Sequence, residues 1–166
     1  FTHAFCDAPT CGPSRSAILT GQPIWRLEEA GNIHSTLPVK FATYPDLLQK
    51  SGYSIGYTGK GWSPGRLEPG GRTENPAGPP FQRKRLQPPF KQMRNTDYAG
   101  NFSDFLAQSP KEKPFCFWLG TSAQPWAGWD VPGASLSHCI VIHMIGTIAV
   151  IGIIAIATLR VIRLRA

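Results

Sequence analysis

The stretch "APTCGPSRSAILTG", residues 8–21, decides the expected fold at this end of the chain. The Gly-Pro pair at 12–13 precedes an apolar run, and proline is favoured at a helix start, where its missing N–H costs nothing. Gly21 follows the run and supplies the residue on which helices often end. The sequence therefore predicts a short helix with Cys11 near its start and Arg15 one turn further on.

Four more segments have helix or strand patterns. Helices are predicted over residues 44–50, with proline in the first turn, and over 97–108, capped by Thr96 or Asp97. A short strand is predicted over 53–58, and the continuous apolar run at 115–119 is typical of a strand buried on both faces. Helices alternating with such strands favour an α/β layer sandwich.

Residues 61–89 have a different composition. Glycine and proline occupy 12 of these 29 positions, which predicts a long surface loop. Its distal part and the segment after it carry five basic residues: Arg83, Lys84, Arg85, Lys91 and Arg94. They are interpreted either as a solvated loop or as a rim that attracts an anionic substrate.

Charge and cysteine usage limit the function classes. The formal net charge is +7 and the pI is near 9.5, which favours anionic partners: sulfated or phosphorylated molecules, nucleic acid or an acidic membrane surface. The four cysteines contain no CxxC pair, so neither a zinc site nor a thioredoxin motif is indicated. The four histidines fall in no metal-spaced cluster.

The C-terminal part is strongly apolar. Residues 139–159 contain no Asp, Glu, Lys or Arg, and three arginines follow. A stretch of this length can cross a bilayer as a helix, and the arginines favour a cytoplasmic C-terminus. The alternative is a non-native tail produced by truncation or a reading-frame slip. The organisation expected is residues 1–122 as one domain, 123–136 as a linker and 137–166 as a hydrophobic, transmembrane tail.

Three kinds of site place a cysteine near a helix start. A tyrosine-phosphatase loop requires five residues between cysteine and arginine, whereas three separate Cys11 from Arg15. A papain-like nucleophile requires different surroundings. "CGPSRSAILTG" resembles the sulfatase signature, in which Cys-x-Pro-x-Arg directs conversion of the cysteine to formylglycine. "ATYPDLLQKSGYSIGYTGKGW" and "KPFCFWLGTS" are similar to later sulfatase segments. Within the sulfatase family, these segments most resemble bacterial relatives of heparan N-sulfatase.

The resemblance implies a fold, a chemistry and a set of site residues. The fold would be an internal portion of an alkaline-phosphatase-like sandwich, an incomplete sheet with flanking helices, followed here by a C-terminal hydrophobic helix. Cys11, as formylglycine, would be nucleophile and metal ligand; one hydroxyl of its hydrate attacks sulfur, and the second expels sulfate. Arg15 would stabilise it and Lys60 would bind the sulfate. A formylglycine-generating enzyme would be a partner, and Ca²⁺ the cofactor.

The sequence also departs from the family pattern. No strand with paired aspartates precedes Phe1, Trp62 stands where the family has a histidine, and "AQPWAGWD" replaces an expected Pro-His after "GTS". Poor calcium binding and slow turnover are therefore expected.

The resulting hypothesis is a hydrolase of sulfate esters or N-sulfates, acting on an anionic carbohydrate in the periplasm or outside the cell, with no nucleic-acid partner. Two alternatives stay open. One is a phosphonate or phosphate monoester hydrolase of the same superfamily. The other is an inactive, membrane-tethered remnant that binds anions.

Overall fold

A small sheet separates two groups of apolar side chains. The computed structural model describes residues 6–88 and 94–121, together with the backbone of strand 141–147. The strands are β1 (Ser54–Gly59), β2 (Pro114–Gly120) and β3 (Val141–Thr147). The helices are α1 (Cys11–Thr20), α2 (Tyr44–Lys50) and α3 (Tyr98–Gln108). The fold is mixed α/β, as predicted.

The sheet has the order β1-β2-β3. Strands β1 and β2 run parallel, with Ser54 opposite Phe115 and Gly59 opposite Gly120. Because parallel strands need a crossover, the long connection between them carries the loop and α3. Strand β3 pairs antiparallel with β2. The carboxyl ends of β1 and β2 therefore meet at one edge, where the chain continues to Lys60.

Helix α1 begins and ends as its sequence predicts. Pro13 lies in the first turn, where N–H groups have no partner within the helix. Gly21 ends the helix in the left-handed conformation, at φ 65°, and its N–H donates to the Ala17 carbonyl at 2.8 Å. A residue with a Cβ is strained in that conformation, so glycine sets this boundary.

The face of the sheet towards α1 buries one apolar cluster. Leu19 of α1, Tyr57 of β1 and Trp118 of β2 belong to it, and Tyr44 of α2 packs against its edge. Cys116 is also buried here, which raises the pKa of its thiol to about 12. Alternate residues of β1 and β2 thus fix the sheet against α1 and α2.

The opposite face packs on α3 through aromatic rings. Phe105 of α3 lies with its ring centroid 4.7 Å from Phe117 and 5.8 Å from Phe115. Gly56 of β1 makes room for this contact, because a Cβ there would lie 2.8 Å from the Phe105 ring. Asp97 caps the helix by accepting from the Gly100 N–H at 2.7 Å, which resolves the choice between Thr96 and Asp97.

The proline-rich connection is anchored by a buried arginine. Arg72, 7% exposed, donates to the carbonyl oxygens of Leu37 (3.1 Å) and Phe41 (2.8 Å) and pairs with Asp46 of α2 at 3.1 Å. Burial of Asp46 opposes its ionisation, but hydrogen bonds from Thr43 and the nearby Arg72 lower its pKa below the ordinary value. Arg72 therefore holds the loop to α2 by an ion pair, and to the segment before α2 by hydrogen bonds to backbone carbonyls.

The expected C-terminal hydrophobic helix is wrong for residues 141–147, which form β3. Short apolar runs do not distinguish helix from strand by period, and this one is rich in β-branched residues, which favour strands. Within the described part of the chain, no helix is long and apolar enough to cross a bilayer. The predicted linker, 123–136, and the remainder of the predicted tail lie outside the described residues, so the proposed domain division stays a prediction.

Candidate functional site

Cys11 is the first residue of α1. The N-cap residue Thr10 is extended, at φ −125° and ψ 152°, and its carbonyl accepts from the Ser14 N–H at 3.0 Å. The first turn carries no acidic side chain, so the positive end of the helix dipole is not offset there by a carboxylate. Cys11 is partly exposed. This position favours negative charge on the side chain or on a group bound to it.

Arg15 points into the protein. It is fully buried, and its Nη1 donates to the carbonyl oxygens of Lys60 at 2.7 Å and Gly61 at 2.9 Å. The guanidinium carbon lies 5.6 Å from the centroid of the Trp118 ring, whose Nε1 also donates to the Lys60 carbonyl, at 3.0 Å. Arg15 thus joins the helix of Cys11 to the turn of Lys60.

Lys60 follows β1 at the carboxyl edge of the sheet. Its N–H donates to the Gly120 carbonyl at 2.7 Å. Gly59 and Gly120 permit this crossing: a Cβ on either one would overlap the backbone of the other strand end, and Gly59 has φ 74°. The Lys60 backbone is therefore held from two sides, while its partly exposed side chain lines an open cleft.

The residues after Lys60 contact the first turns of α1. Trp62 donates from its indole Nε1 to Ser16 Oγ at 2.9 Å, and Ser16 Oγ donates to the Gly12 carbonyl at 3.0 Å. Asn75 fixes the Trp62 backbone, accepting from its N–H at 3.0 Å and donating to its carbonyl at 2.9 Å. The sequence analysis did not predict roles for Ser16 and Asn75. The signals that could have indicated them are the position of Ser16 within the signature and the Asn-Pro pair at 75–76.

The cleft beside Lys60 has a volume of about 640 Å³. Of the residues that the structure describes, its charged lining residues are Lys60, Arg85 and Arg94, and none of the described lining residues is acidic. Tyr57 also lines it, and burial, only partly offset by a hydrogen bond with Gln82, raises the pKa of its phenol, which stays protonated at neutral pH. Cys11 and Arg15 do not line the cleft. The three basic residues favour a negatively charged ligand.

A second cavity, of about 220 Å³, lies beside α2. Its lining includes Asp46 and Arg72, which pair with each other. This pair is accounted for by its role in anchoring the loop.

The residues that the structure describes do not fit a calcium ion. Over 6–88 and 94–121, no group of three or more His, Cys, Asp or Glu side chains is placed to hold a metal. Asp7, the acidic residue nearest to Cys11 in the sequence, accepts from the Ile24 N–H and so fixes the turn after α1.

Comparison with known proteins identifies the family of the chain. The sulfatase family model matches residues 1–127, and the chain belongs to the sulfatase family. It is 37% identical over 78 residues to an N-acetylgalactosamine-6-O-sulfatase of Bacteroides thetaiotaomicron. That alignment covers 45% of this chain and 15% of the relative's length. No solved structure matches the chain.

Proposed function

We propose that this chain carries the nucleophile-bearing part of a formylglycine-dependent sulfatase, with an alkaline-phosphatase-like fold. One observation carries the proposal: Cys11 begins α1, and buried Arg15 ties that helix to the Lys60 turn beside a cleft whose described charged lining residues are all basic. Family membership supports hydrolysis of a sulfuric ester. Formylglycine, when formed at Cys11, supplies the oxygen nucleophile.

The roles of the chain's own residues follow from their positions. The start of α1 favours negative charge at position 11. Lys60 would bind a sulfate oxygen through its ammonium; in support, its backbone is fixed by Gly120 and by Arg15. Arg15 acts as a positioning residue, because its Nη1 is committed to two carbonyl oxygens.

Calcium is a family expectation, and no step is assigned to it, since the described residues do not fit the ion. The second candidate is an inactive, membrane-tethered remnant that binds anions, and the basic lining of the cleft supports the anion binding. A phosphonate or phosphate monoester hydrolase is distinguished by substrate alone.

The substrate proposed is a sulfated carbohydrate. The relative's name specifies a 6-O-sulfate of N-acetylgalactosamine, so N-acetylgalactosamine 6-sulfate is the first ester to test. The resemblance to heparan N-sulfatase makes glucosamine N-sulfate the second. A periplasmic or extracellular location and a formylglycine-generating enzyme as partner belong to the same proposal.

The test is coexpression of the full chain with a formylglycine-generating enzyme. Mass spectrometry of the tryptic peptide ending at Arg15 reports on conversion of Cys11. Hydrolysis of 4-nitrocatechol sulfate in calcium buffer is then compared with that of an aryl phosphonate, using Cys11→Ala as the control. Conversion with sulfate turnover above the control supports a sulfatase. Preference for the phosphonate supports the superfamily alternative, and conversion without turnover supports the remnant.

A further inference from the structure

We propose that Arg85 and Arg94 form a subsite for a second anionic group, so that the cleft binds a ligand with two negative charges. The first group would be the sulfate at Lys60, and to that extent the inference rests on the proposed function. The second would be a ring sulfate or a carboxylate on the same glycan.

Backbone pairing brings the two arginines to the same cleft. Arg85 forms an antiparallel bridge with Thr96, and the Leu86 N–H donates to the Asn95 carbonyl at 2.7 Å. Arg85 Nη1 also donates to Thr96 Oγ1 at 3.2 Å. The segment carrying Arg85 thus lies beside the segment carrying Arg94, and both residues line the cleft with Lys60.

The Arg85 segment is anchored to α3. Asn101, 1% exposed, accepts from the Lys84 N–H at 2.9 Å and donates to the Lys84 carbonyl at 3.2 Å. Its Nδ2 also donates to the Asp97 carbonyl at 2.6 Å. Because this buried amide makes three hydrogen bonds, it restricts the segment. The backbone that carries Arg85 is therefore held in place.

Charge pairing differs between neighbouring basic residues. Lys84 Nζ pairs with Asp104 at 2.8 Å. Among the described residues, by contrast, Arg85 and Arg94 form no ion pair, and the cleft they line contains no carboxylate. A concave site lined only by positive charges raises the local concentration of anions. An anionic ligand in this cleft would therefore meet no competing carboxylate from the described residues.

The size and remaining lining suit a sugar rather than a free ion. A volume of about 640 Å³ falls in the range that accommodates a small organic ligand, of about 300–1,000 Å³. Its lining includes three residues with side-chain amides, Asn75, Gln82 and Asn95. Asn75 is engaged with the Trp62 backbone and Gln82 donates to the Gly59 carbonyl at 3.0 Å, so the exposed Asn95 is the amide we expect a sugar hydroxyl to meet. Amide groups both donate and accept hydrogen bonds, as sugar hydroxyls require.

The experiment measures binding to the full chain in the Cys11→Ala background, so that no ligand is consumed. Isothermal titration calorimetry compares N-acetylgalactosamine 6-sulfate, its 4,6-disulfate, and the chondroitin 6-sulfate disaccharide, which adds a carboxylate. We expect one of the doubly charged ligands to bind about tenfold more tightly than the monosulfate, as two arginine contacts of a few-fold each would give. Whichever gains identifies the second anion.

The double variant Arg85→Gln/Arg94→Gln should abolish that gain, and it should weaken binding of the monosulfate less than binding of the doubly charged ligand. The matched control is Arg83→Gln, an exposed arginine of the same loop that does not line the cleft, and it should keep the gain. Arg85→Lys/Arg94→Lys, which preserves charge and is checked for folding by circular dichroism, should retain part of it.

Equal binding of all three ligands, or equal losses in the Arg83 and the double variants, would overturn the subsite. Because this readout needs neither formylglycine nor turnover, its failure is separable from failure of the proposed sulfatase chemistry. An arginine-dependent preference in a chain that never hydrolyses sulfate would leave the subsite standing.

Discussion

Replacing Arg15 with alanine tests whether this residue positions the Lys60 turn. The substitution removes hydrogen bonds from a buried guanidinium to the Lys60 and Gly61 carbonyls, at 2.7 and 2.9 Å. Each charge-assisted bond contributes about 1.5–3 kcal/mol. The Lys60 carbonyl keeps the Trp118 indole as a donor, so the penalty of an unpaired group falls mainly on Gly61. We expect the free energy of unfolding to fall by about 3–5 kcal/mol.

The assay is urea unfolding of the full chain, followed by tryptophan fluorescence. Arg15→Lys keeps a charge and an aliphatic stem but cannot span both carbonyl groups in the same way, so it should lose about half as much. Arg26→Ala is the control: this arginine is exposed and stacks on Trp25 at 4.9 Å, a contact of about 0.5–1 kcal/mol. If Arg15→Ala and Arg26→Ala destabilise equally, the positioning role is wrong.

Three further predictions concern the scaffold. Gly120→Ala should destabilise the chain by about 3 kcal/mol or more, because its Cβ would overlap the Lys60 backbone; thermal unfolding measures this, and an unchanged midpoint contradicts it. Because the pKa of Asp46 is lowered in the folded state, its ionised form stabilises the fold above the ordinary pKa of 3.8, and this stability is lost as the pH falls through the folded-state pKa. In urea titrations Asp46→Asn should therefore be less stable than wild type at pH 7, and the two should converge in acid. A difference that stays constant with pH would contradict this. Burial and a thiol pKa of about 12 should protect Cys116 from iodoacetamide at pH 8, whereas exposed Cys6 reacts; peptide mass spectrometry distinguishes the two, and equal labelling would refute the burial.

Local chemistry made the helices and parallel strands predictable. The bounds of α2 follow from Pro45 in its first turn and the glycine after its end, and those of α1 follow from Gly21. The tail was different, since β-branched apolar residues suit both a membrane helix and a buried strand. Pairing of residues 141–147 with β2 decides between them, and a partner strand is not visible in local sequence.

The candidate site divides in the same way. Cys11 could be placed at a helix start from its neighbours alone, and Lys60 at a strand end. The direction of Arg15 could not, because its partners lie 45 and 46 residues away. The cleft arginines were predicted only as one reading of a basic loop. Their common placement depends on an isolated bridge between Arg85 and Thr96, which has no strand period to reveal it.

Arg15 links Cys11 to Lys60. The resemblance to sulfatases had predicted that Arg15 stabilises the nucleophile directly. Cys11 and Arg15 lie one turn apart on α1, but one reaches the surface while the other is buried. Arg15 holds the carbonyl of Lys60, so the relative placement of the proposed nucleophile, Cys11, and the proposed sulfate ligand, Lys60, depends on a packed guanidinium. If an Arg15 variant loses activity, we expect displacement of Lys60 to be the cause. A variant that stays folded in urea titrations but binds sulfate more weakly would support this, and unchanged sulfate binding would contradict it.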